Sequence, residues 1–374
     1  MKVLITGAGG FIGSSLVNYL KSDHEIIALT HKKTNKVVSK LSDENIQIVE
    51  GDIKSRELLS SVLPNVDTVI HLAGVVGSGA CAKDPARAVL DNVVGTHVIL
   101  KGSLKANVKR FIFASTQAAY FTFKEHSLPL TENMKLEPDD LYGATKVASE
   151  YEIQSSGINY CILRFANVYG PRQNSKGEAG VIAIFCDKLL NGQELVINGS
   201  GEQTRDFIYV EDLVEGLILA MEKINQFHQI NIGAGISTTI KQILKSILDA
   251  DSFKNPKIVY NASKPTMIPI RLINVDKAKK VLGFTPKTSL STGIKKTVSI
   301  EAVLRAVSDR FSVSISQLQS KSRTRSLALP RQIVMYLSRK LTNMSLTEIG
   351  GFVGGRDHST VIHADGKITK LLKK

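Results

Sequence analysis

Cysteine is scarce in this chain: Cys81, Cys161 and Cys186 are the only three in 374 residues. An odd number with no C-x-x-C pair argues against a disulfide framework and against a cysteine-ligated zinc site. Long apolar runs are missing too, and no stretch nears the ~20 residues that a membrane-spanning helix needs. The opening "MKVLITGAGG" places glycines where a secretory signal would be unbroken and apolar. A cytoplasmic protein without a membrane partner is expected. No G-x-x-x-x-G-K-[ST] occurs, which excludes a P-loop triphosphatase. No internal repeat is visible.

What is present is enough for a sizeable core. Apolar residues make up 43% of the chain, and its length suits two domains. The net charge of +14 is unevenly spread. From Val298 to Lys374 there are 13 Lys and Arg against 5 Asp and Glu, a net +8 in the last fifth of the chain. Such asymmetry points to a polyanionic partner for the tail.

The first half alternates strand-like and helical patterns. Strands are expected at 2–6, 25–30, 47–51, 68–72, 110–115 and 160–165, with helices at 11–20, 86–104 and 142–155 among them. This alternation predicts a parallel sheet covered on both faces. From about Gly170 the regularity loosens, as a smaller substrate lobe would. After Thr297 the pattern reads as short helices at 300–311, 315–320, 331–341, 346–352 and 358–372. Pro330 is expected to open one of them and a Ser345/Glu348 capping box another. No flexible linker precedes them, since "GIKKTVSIEAVL" runs from one helical pattern into the next.

"LITGAGGFIG" sets Gly7, Gly10 and Gly13 between the first strand and the first helix. Glycines there let backbone approach a pyrophosphate at the N–H groups of Phe11, Ile12 and Gly13. "YGATK" spaces Tyr142 and Lys146 at i, i+4, on one face of a helix. An ammonium beside a phenol favours phenolate, which makes a general acid/base. "FIFAST" ends a strand and offers the hydroxyls of Ser115 and Thr116 to a substrate alcohol.

Together with "GDI", "HLAG", "DNVVGT", "RFANVYGPRQ", "RDFIYVEDL", "NIG" and "LGFTPKTSLSTGIKKT", these motifs make residues 1–297 resemble the extended short-chain dehydrogenase/reductases. That family comprises NAD(P)-dependent nucleotide-sugar epimerases, dehydratases and reductases. The resemblance implies a Rossmann doubly wound parallel sheet with a smaller α/β substrate lobe. It implies that Asp52 and Ile53 contact the adenine, and that Leu72, Ala73, Gly74 and Asn92 line the middle of the cofactor. Thr116, Tyr142 and Lys146 match the family's catalytic set. Asn167, Arg205 and Lys264 match residues that hold the sugar nucleotide. Family habit adds a homodimer.

Three departures qualify this. His31, Lys32 and Lys33 stand where an NAD enzyme usually offers an acid to the ribose, so the cofactor is left open between NAD and NADP. Gln117 and Ala118 replace the Asp-Glu pair of the 4,6-dehydratases. Phe121 replaces a glycine usual after Tyr120. A UDP-glucose 4-epimerase-like enzyme is therefore expected first, a reductase second and a dehydratase third.

The tail contains "GGFVGGRDHSTVIH", residues 350–363, whose Asp, His and Ser could be mistaken for a metal or hydrolase site. His358 and His363 are i, i+5, roughly 140° apart on a helix, and do not converge on a metal. Asp357, His358 and Ser359 are consecutive and cannot relay hydrogen bonds to one another. Two helices joined by a glycine turn instead read as a helix-turn-helix. Short polar side chains at the start of its second helix suit base edges. Lys321, Arg323, Arg325 and Arg331 ahead of it suit phosphates or a narrow minor groove.

"SKSRTRS", "PRQIVMYLSRKLTNMSLTEIG" and "GGRDHSTVIHA" make residues 300–374 resemble the C-terminal DNA-binding domain of the replication initiator DnaA. The resemblance implies an all-α domain that reads the A·T-rich DnaA box. Arg323 would enter the minor groove. Arg331, Asp357, His358, Ser359 and Thr360 would contact the major groove and its phosphates. Ser322, Leu329, Asp365 and Gly366 depart from the family's usual residues, and Asp365 is expected to repel phosphate. The boundary between the two parts falls at 297/298. The leading expectation is an epimerase that also binds double-stranded DNA. The alternatives are a DNA-binding regulator that senses NAD(P) with little turnover, and a reductase with a vestigial tail.

Overall fold

The computed structural model describes residues 1–31, 44–120, 128–175, 180–190, 192–250, 256–263, 268–322, 324–342 and 344–372. Seven strands form one sheet in the spatial order His228–Ile232, Tyr160–Phe165, Arg110–Thr116, Thr68–His71, Lys2–Thr6, Glu25–Thr30, Ile46–Glu50. Every pairing in it is parallel. The inner strands are buried at nearly every position, as a sheet covered on both faces requires. Leu16, Val17, Leu213 and Leu217 pack on one face; Leu59, Ile99, Leu100 and Ile153 pack on the other.

The six expected strands lie within a residue of these bounds. Thr68–His71 is the middle strand, and the strand order reverses between it and Lys2–Thr6. Ligands of doubly wound sheets bind at that reversal, outside the carboxyl ends of the strands.

The helix expected over 86–104 is not regular. It runs as Pro85–Val89, a π-helical turn Leu90–Val94, and Gly95–Lys105. The wider turn carries Asn92, and such bulges often sit at functional sites. The smaller lobe holds a four-stranded sheet in which Thr204–Tyr209 pairs with Ser237–Thr239, Ile270–Arg271 and Asn167–Tyr169. Ile258–Asn261 and Leu195–Asn198 form a two-stranded ribbon. No helix of the described residues is long and apolar enough to cross a membrane.

The junction with the tail is a single helix, Leu290–Phe311. Ile294 and Val298 pack into the lobe, while Ile300, Leu304 and Val307 belong to the core of the tail. The 297/298 boundary thus falls inside continuous helix. Helices Ile315–Leu318, Arg325–Leu341, Leu346–Phe352 and His358–Leu372 complete that core around Val334, Ile349, Phe352 and Val361.

Pro330 does not open a helix, as expected, but lies inside Arg325–Leu341. Its missing N–H leaves only the carbonyl four residues back, on exposed Ser326, to be satisfied by water. The Ser345/Glu348 capping box is present.

Candidate active site and DNA-reading surface

The turn after Lys2–Thr6 is shaped for backbone proximity. Gly7 has φ +68°, and a Cβ there would lie 2.8 Å from Ala73 N. A Cβ on Gly13 would stand 2.2 Å from Gly7 O. The Phe11–Leu20 helix begins at Gly10 with no side-chain cap, so Phe11, Ile12 and Gly13 lead with N–H groups that no side chain occupies. This is the anion cradle that a dinucleotide pyrophosphate requires.

Ala73 and the half-buried Leu72 flank the turn, with Gly74 beside them. Asp52 accepts from Lys54 N at 2.8 Å and pairs with Lys54 Nζ at 3.0 Å. Burial works to raise its pKa, but Lys54 and the nearby His31 outweigh this and hold the carboxyl low. Asp52 therefore supplies a negative charge near exposed His31. Ile53 packs against Gly95. Lys32 and Lys33 lie outside the described residues.

Asn92 requires a correction. Its Oδ1 accepts from Val75 N at 2.7 Å, and its Nδ2 donates to Val75 O and Thr145 Oγ1 at 3.0 Å each. Only 1% exposed, it braces the loop after Thr68–His71 from behind Gly74. His71 is likewise structural. It bridges Thr6 and Thr96, and burial, aided by Lys146, lowers its pKa to about 3, so it stays neutral.

Asp140 caps the Leu141–Ser155 helix through Gly143 N at 2.7 Å. A Cβ on Gly143 would meet Ala118 O at 2.3 Å, so only glycine lets this helix close on the end of Arg110–Thr116. That approach brings the Tyr142 phenol near enough to the Thr116 hydroxyl for Thr116 to favour its ionised form. Lys146, one turn on, donates to Ala114 O at 2.9 Å and lies 4.8 Å from the centroid of the Phe113 ring. Tyr142 and Lys146 thus both come to the carboxyl end of Arg110–Thr116.

The electrostatics differ from expectation. Burial drives the Tyr142 phenol above its ordinary pKa, Cys81 and Asp140 add to the rise, and the nearby Thr116 hydroxyl only partly offsets it. Burial also lowers Lys146, to about 8. Lys146 is committed to a backbone carbonyl, so it does not by itself make a phenolate.

Ser115 is a second correction. Neighbouring strand residues face opposite ways, and Ser115 turns inward to donate to Glu150 Oε1. It supports the buried Glu150–Arg164 ion pair.

Two residues unassigned in the sequence join the site. Gln117 Nε2 donates to Asn167 Oδ1 at 3.2 Å, while its buried Oε1 has no partner among the described residues. Arg271 is the strand neighbour of Arg205 and pairs with Asp139 at 2.8 Å. Burial, and then the Arg271 charge, lowers Arg205 to about 10. Two adjacent guanidiniums suit a diphosphate. Lys264 lies outside the described residues.

In the tail, Asp357, His358 and Ser359 are exposed and Thr360 half-buried at the start of His358–Leu372. Asp357 Oδ1 accepts from Thr360 N, Thr360 Oγ1 and Ser359 Oγ, which hold the carboxyl down at about 2. Oδ2 has no protein donor among the described residues, so one oxygen caps the helix while the other can meet a base. Lys321 is half-buried and Arg325 exposed. Arg323 lies outside the described residues.

Arg331 is corrected. It is 4% exposed, and its guanidinium donates to the carbonyls of Leu318, Gln317, Ser320 and Ser322. It braces the basic loop from within and cannot reach DNA. Asp365 is corrected as well. It pairs with Arg339 at 2.7 Å and Lys340 at 3.8 Å, so its charge is spent inside the domain. Gly366 faces open space.

These two sites match known proteins separately. Residues 3–233 match the NAD dependent epimerase/dehydratase family, and residues 300–368 match the bacterial dnaA protein helix-turn-helix. The crystal structure of a UDP-glucose 4-epimerase with UDP-glucose from Thermotoga maritima is 35% identical, with TM-score 0.73. The match covers 82% of this chain and 100% of that one. A putative UDP-glucose 4-epimerase of Methanocaldococcus jannaschii is 33% identical over 79% of this chain and 97% of its own length. A UDP-glucuronic acid 4-epimerase from Bacillus cereus, in complex with UDP-glucuronic acid and NAD, is 29% identical with TM-score 0.72, covering 80% of this chain and 98% of that one. The glycine cradle fits the coenzyme for which the family is named. The chain belongs to the NAD-dependent epimerase/dehydratase family and carries a bacterial DnaA-type helix-turn-helix domain behind it.

Proposed function

We propose that residues 1–297 interconvert epimers of a UDP-hexose with NAD, and that residues 298–374 hold this enzyme on double-stranded DNA at DnaA-box-like sites. The observation that carries the first half is the meeting of Tyr142, Thr116 and Lys146 beside the glycine cradle. NAD, held at the glycine cradle, would supply a hydride acceptor and donor. Tyr142 takes the proton of the reacting sugar hydroxyl and later returns it. Thr116 orients that hydroxyl and Lys146 holds positive charge behind the phenol. Arg205 and Arg271 clamp the diphosphate, leaving the sugar free to turn over between the two half-reactions. Gln117 in place of an acid disfavours water elimination, which supports epimerisation over dehydration.

Exposed Val89, Leu90, Val94 and Tyr151 lie on packed helices 85–105 and 141–155. An apolar patch of this kind supports a homodimer, which would present two DNA-reading tails. The exposed start of His358–Leu372, together with Arg325 and Lys321, supports the DNA reading.

The test of the enzyme is turnover of UDP-glucose and UDP-galactose by Tyr142→Phe. A fall of about 10²–10⁴-fold is expected, and full retained turnover contradicts the assignment.

A further inference from the structure

Three cations from the two parts of the chain, Lys21, Lys321 and Arg356, lie near one another at their junction. Asn18 Nδ2 lies 3.8 Å from where a Cβ on Gly351 would stand. Lys21 caps the same helix three residues on, and so shares that face. On the other side, a Cβ on Gly354 would lie 2.8 Å from Ser320 O and 3.6 Å from Arg356 Nε. The Arg356 side chain therefore runs beside the backbone that leads into Lys321.

Burial, with the charges of Arg356 and Lys21, lowers Lys321 to about 8. Other cations of the junction are neutralised: Lys296 by Glu211 and Glu348, Arg305 by Asp187. Among the described residues, Lys21, Lys321 and Arg356 have no such ion pair. The continuous Leu290–Phe311 helix and these neutral pairs fix the two parts against each other, so the cluster is a standing feature of the surface.

Uncompensated like charges held together cost stability and are relieved by an anion. Lys321 leads into Arg325, and Arg356 into Asp357–Thr360, so the cluster borders the surface that reads bases. We propose that Lys21, on the enzyme body, is a phosphate contact for the DNA read by the tail, so that bound duplex runs across the junction and is held by Lys21, Lys321 and Arg356 together. This inference rests on the DNA-reading function proposed above.

The test is fluorescence anisotropy of the full chain with a labelled duplex carrying a DnaA box, and with a scrambled duplex, from about 50 to 200 mM salt. For Lys21→Gln, loss of one phosphate contact should make the slope of log K against log salt shallower by about 0.9. Affinity should fall by roughly three- to tenfold while the preference for the box is kept. Lys21→Arg should behave as the original chain. A Lys21→Gln variant with unchanged slope and affinity overturns the proposal while leaving the DNA-reading function intact. A Lys21→Arg variant as weak as Lys21→Gln also overturns it, because the effect is then structural. Loss of binding to phosphatidylserine vesicles, with DNA binding unchanged, assigns the cluster to a membrane and overturns it too. Failure of the original chain to prefer the box overturns both readings.

Discussion

The Arg172 guanidinium lies over the Phe352 ring, 5.4 Å from its centroid, while its Nη2 donates to Ser15 Oγ at 2.7 Å. One side chain of the epimerase-family part thus touches both the helix that begins at the glycine cradle and the core of the helix-turn-helix tail. Beside it, Lys296 Nζ lies 3.1 Å from both Glu211 and Glu348.

The first prediction concerns this contact. A double-mutant cycle between Arg172→Ala and Phe352→Leu should give a coupling of about 0.5–1 kcal/mol in denaturation of the full chain. Additive effects would show that the two parts are held by the helix and ion pairs alone.

A pH dependence follows from the shared Lys296. Burial, and then Glu348, pushes Glu211 from 4.5 up to about 7. The folded chain holds this proton more tightly than the unfolded chain does. That stabilisation is complete below about 4.5 and is lost as pH rises through about 7. Glu348 is held below its ordinary value despite burial, by Glu211, Ser345 and Lys296. Its stabilisation is present above 4.5 and is lost as pH falls. Thermal melts should therefore show the junction weaker at pH 8 than at pH 5.5, by on the order of 1–2 kcal/mol. Glu211→Gln should flatten that limb, and an undiminished loss at pH 8 in this variant counts against the pairing.

Arg331 tests the inward reading of a basic residue. Its removal leaves several carbonyls without donors, at about 1–3 kcal/mol for each one stranded. Arg331→Ala should lower the melting temperature of the tail and loosen the 317–322 turn in hydrogen exchange. If it instead melts normally and only loses DNA affinity, Arg331 is a DNA contact after all.

Gly366 offers the opposite case. It lies in a helix interior, and a Cβ there would meet nothing within 4 Å. Gly366→Ala should stabilise the tail by about 1 kcal/mol. Gly366→Arg should add a cation near DNA and steepen the salt slope by about 0.9. A destabilised Gly366→Ala would mean that the site is more crowded than its surroundings indicate.

Gln117 bears on the reaction type. Its buried Oε1 has no partner among the described residues; if a sugar hydroxyl donates to it, Gln117→Ala should raise KM for the sugar nucleotide by about tenfold, the worth of one hydrogen bond. An unchanged KM would leave Gln117 as a support for Asn167 only.

What the sequence disclosed was local. Gly7, Gly10 and Gly13, the i, i+4 pair Tyr142–Lys146 and the Ser345/Glu348 box each act within a turn or two, so spacing alone reveals them. The misreadings all depended on distant partners. Ser115 and Thr116 are adjacent hydroxyls, and only Glu150, 35 residues on, draws the first inward. Asp365 reads as a repulsive charge until Arg339 and Lys340 are placed beside it. Arg331 reads as a DNA contact until its helix is seen to begin at Arg325 and turn that side chain into the domain. Arg271 carried no local signal, because its role comes from strand pairing with Arg205. Tyr142 had the right geometry, yet its proton affinity was set by burial that spacing does not report.

The central claim is that one folded chain does sugar-nucleotide chemistry while seated on DNA. Its most direct test is to form a complex with DnaA-box duplex, isolate it by gel filtration and assay that fraction with NAD for interconversion of UDP-glucose and UDP-galactose. Epimerase activity eluting with the duplex, and absent from the same position with scrambled duplex, is the predicted result. A duplex-bound fraction without turnover, or active protein that never elutes with the box, would contradict it.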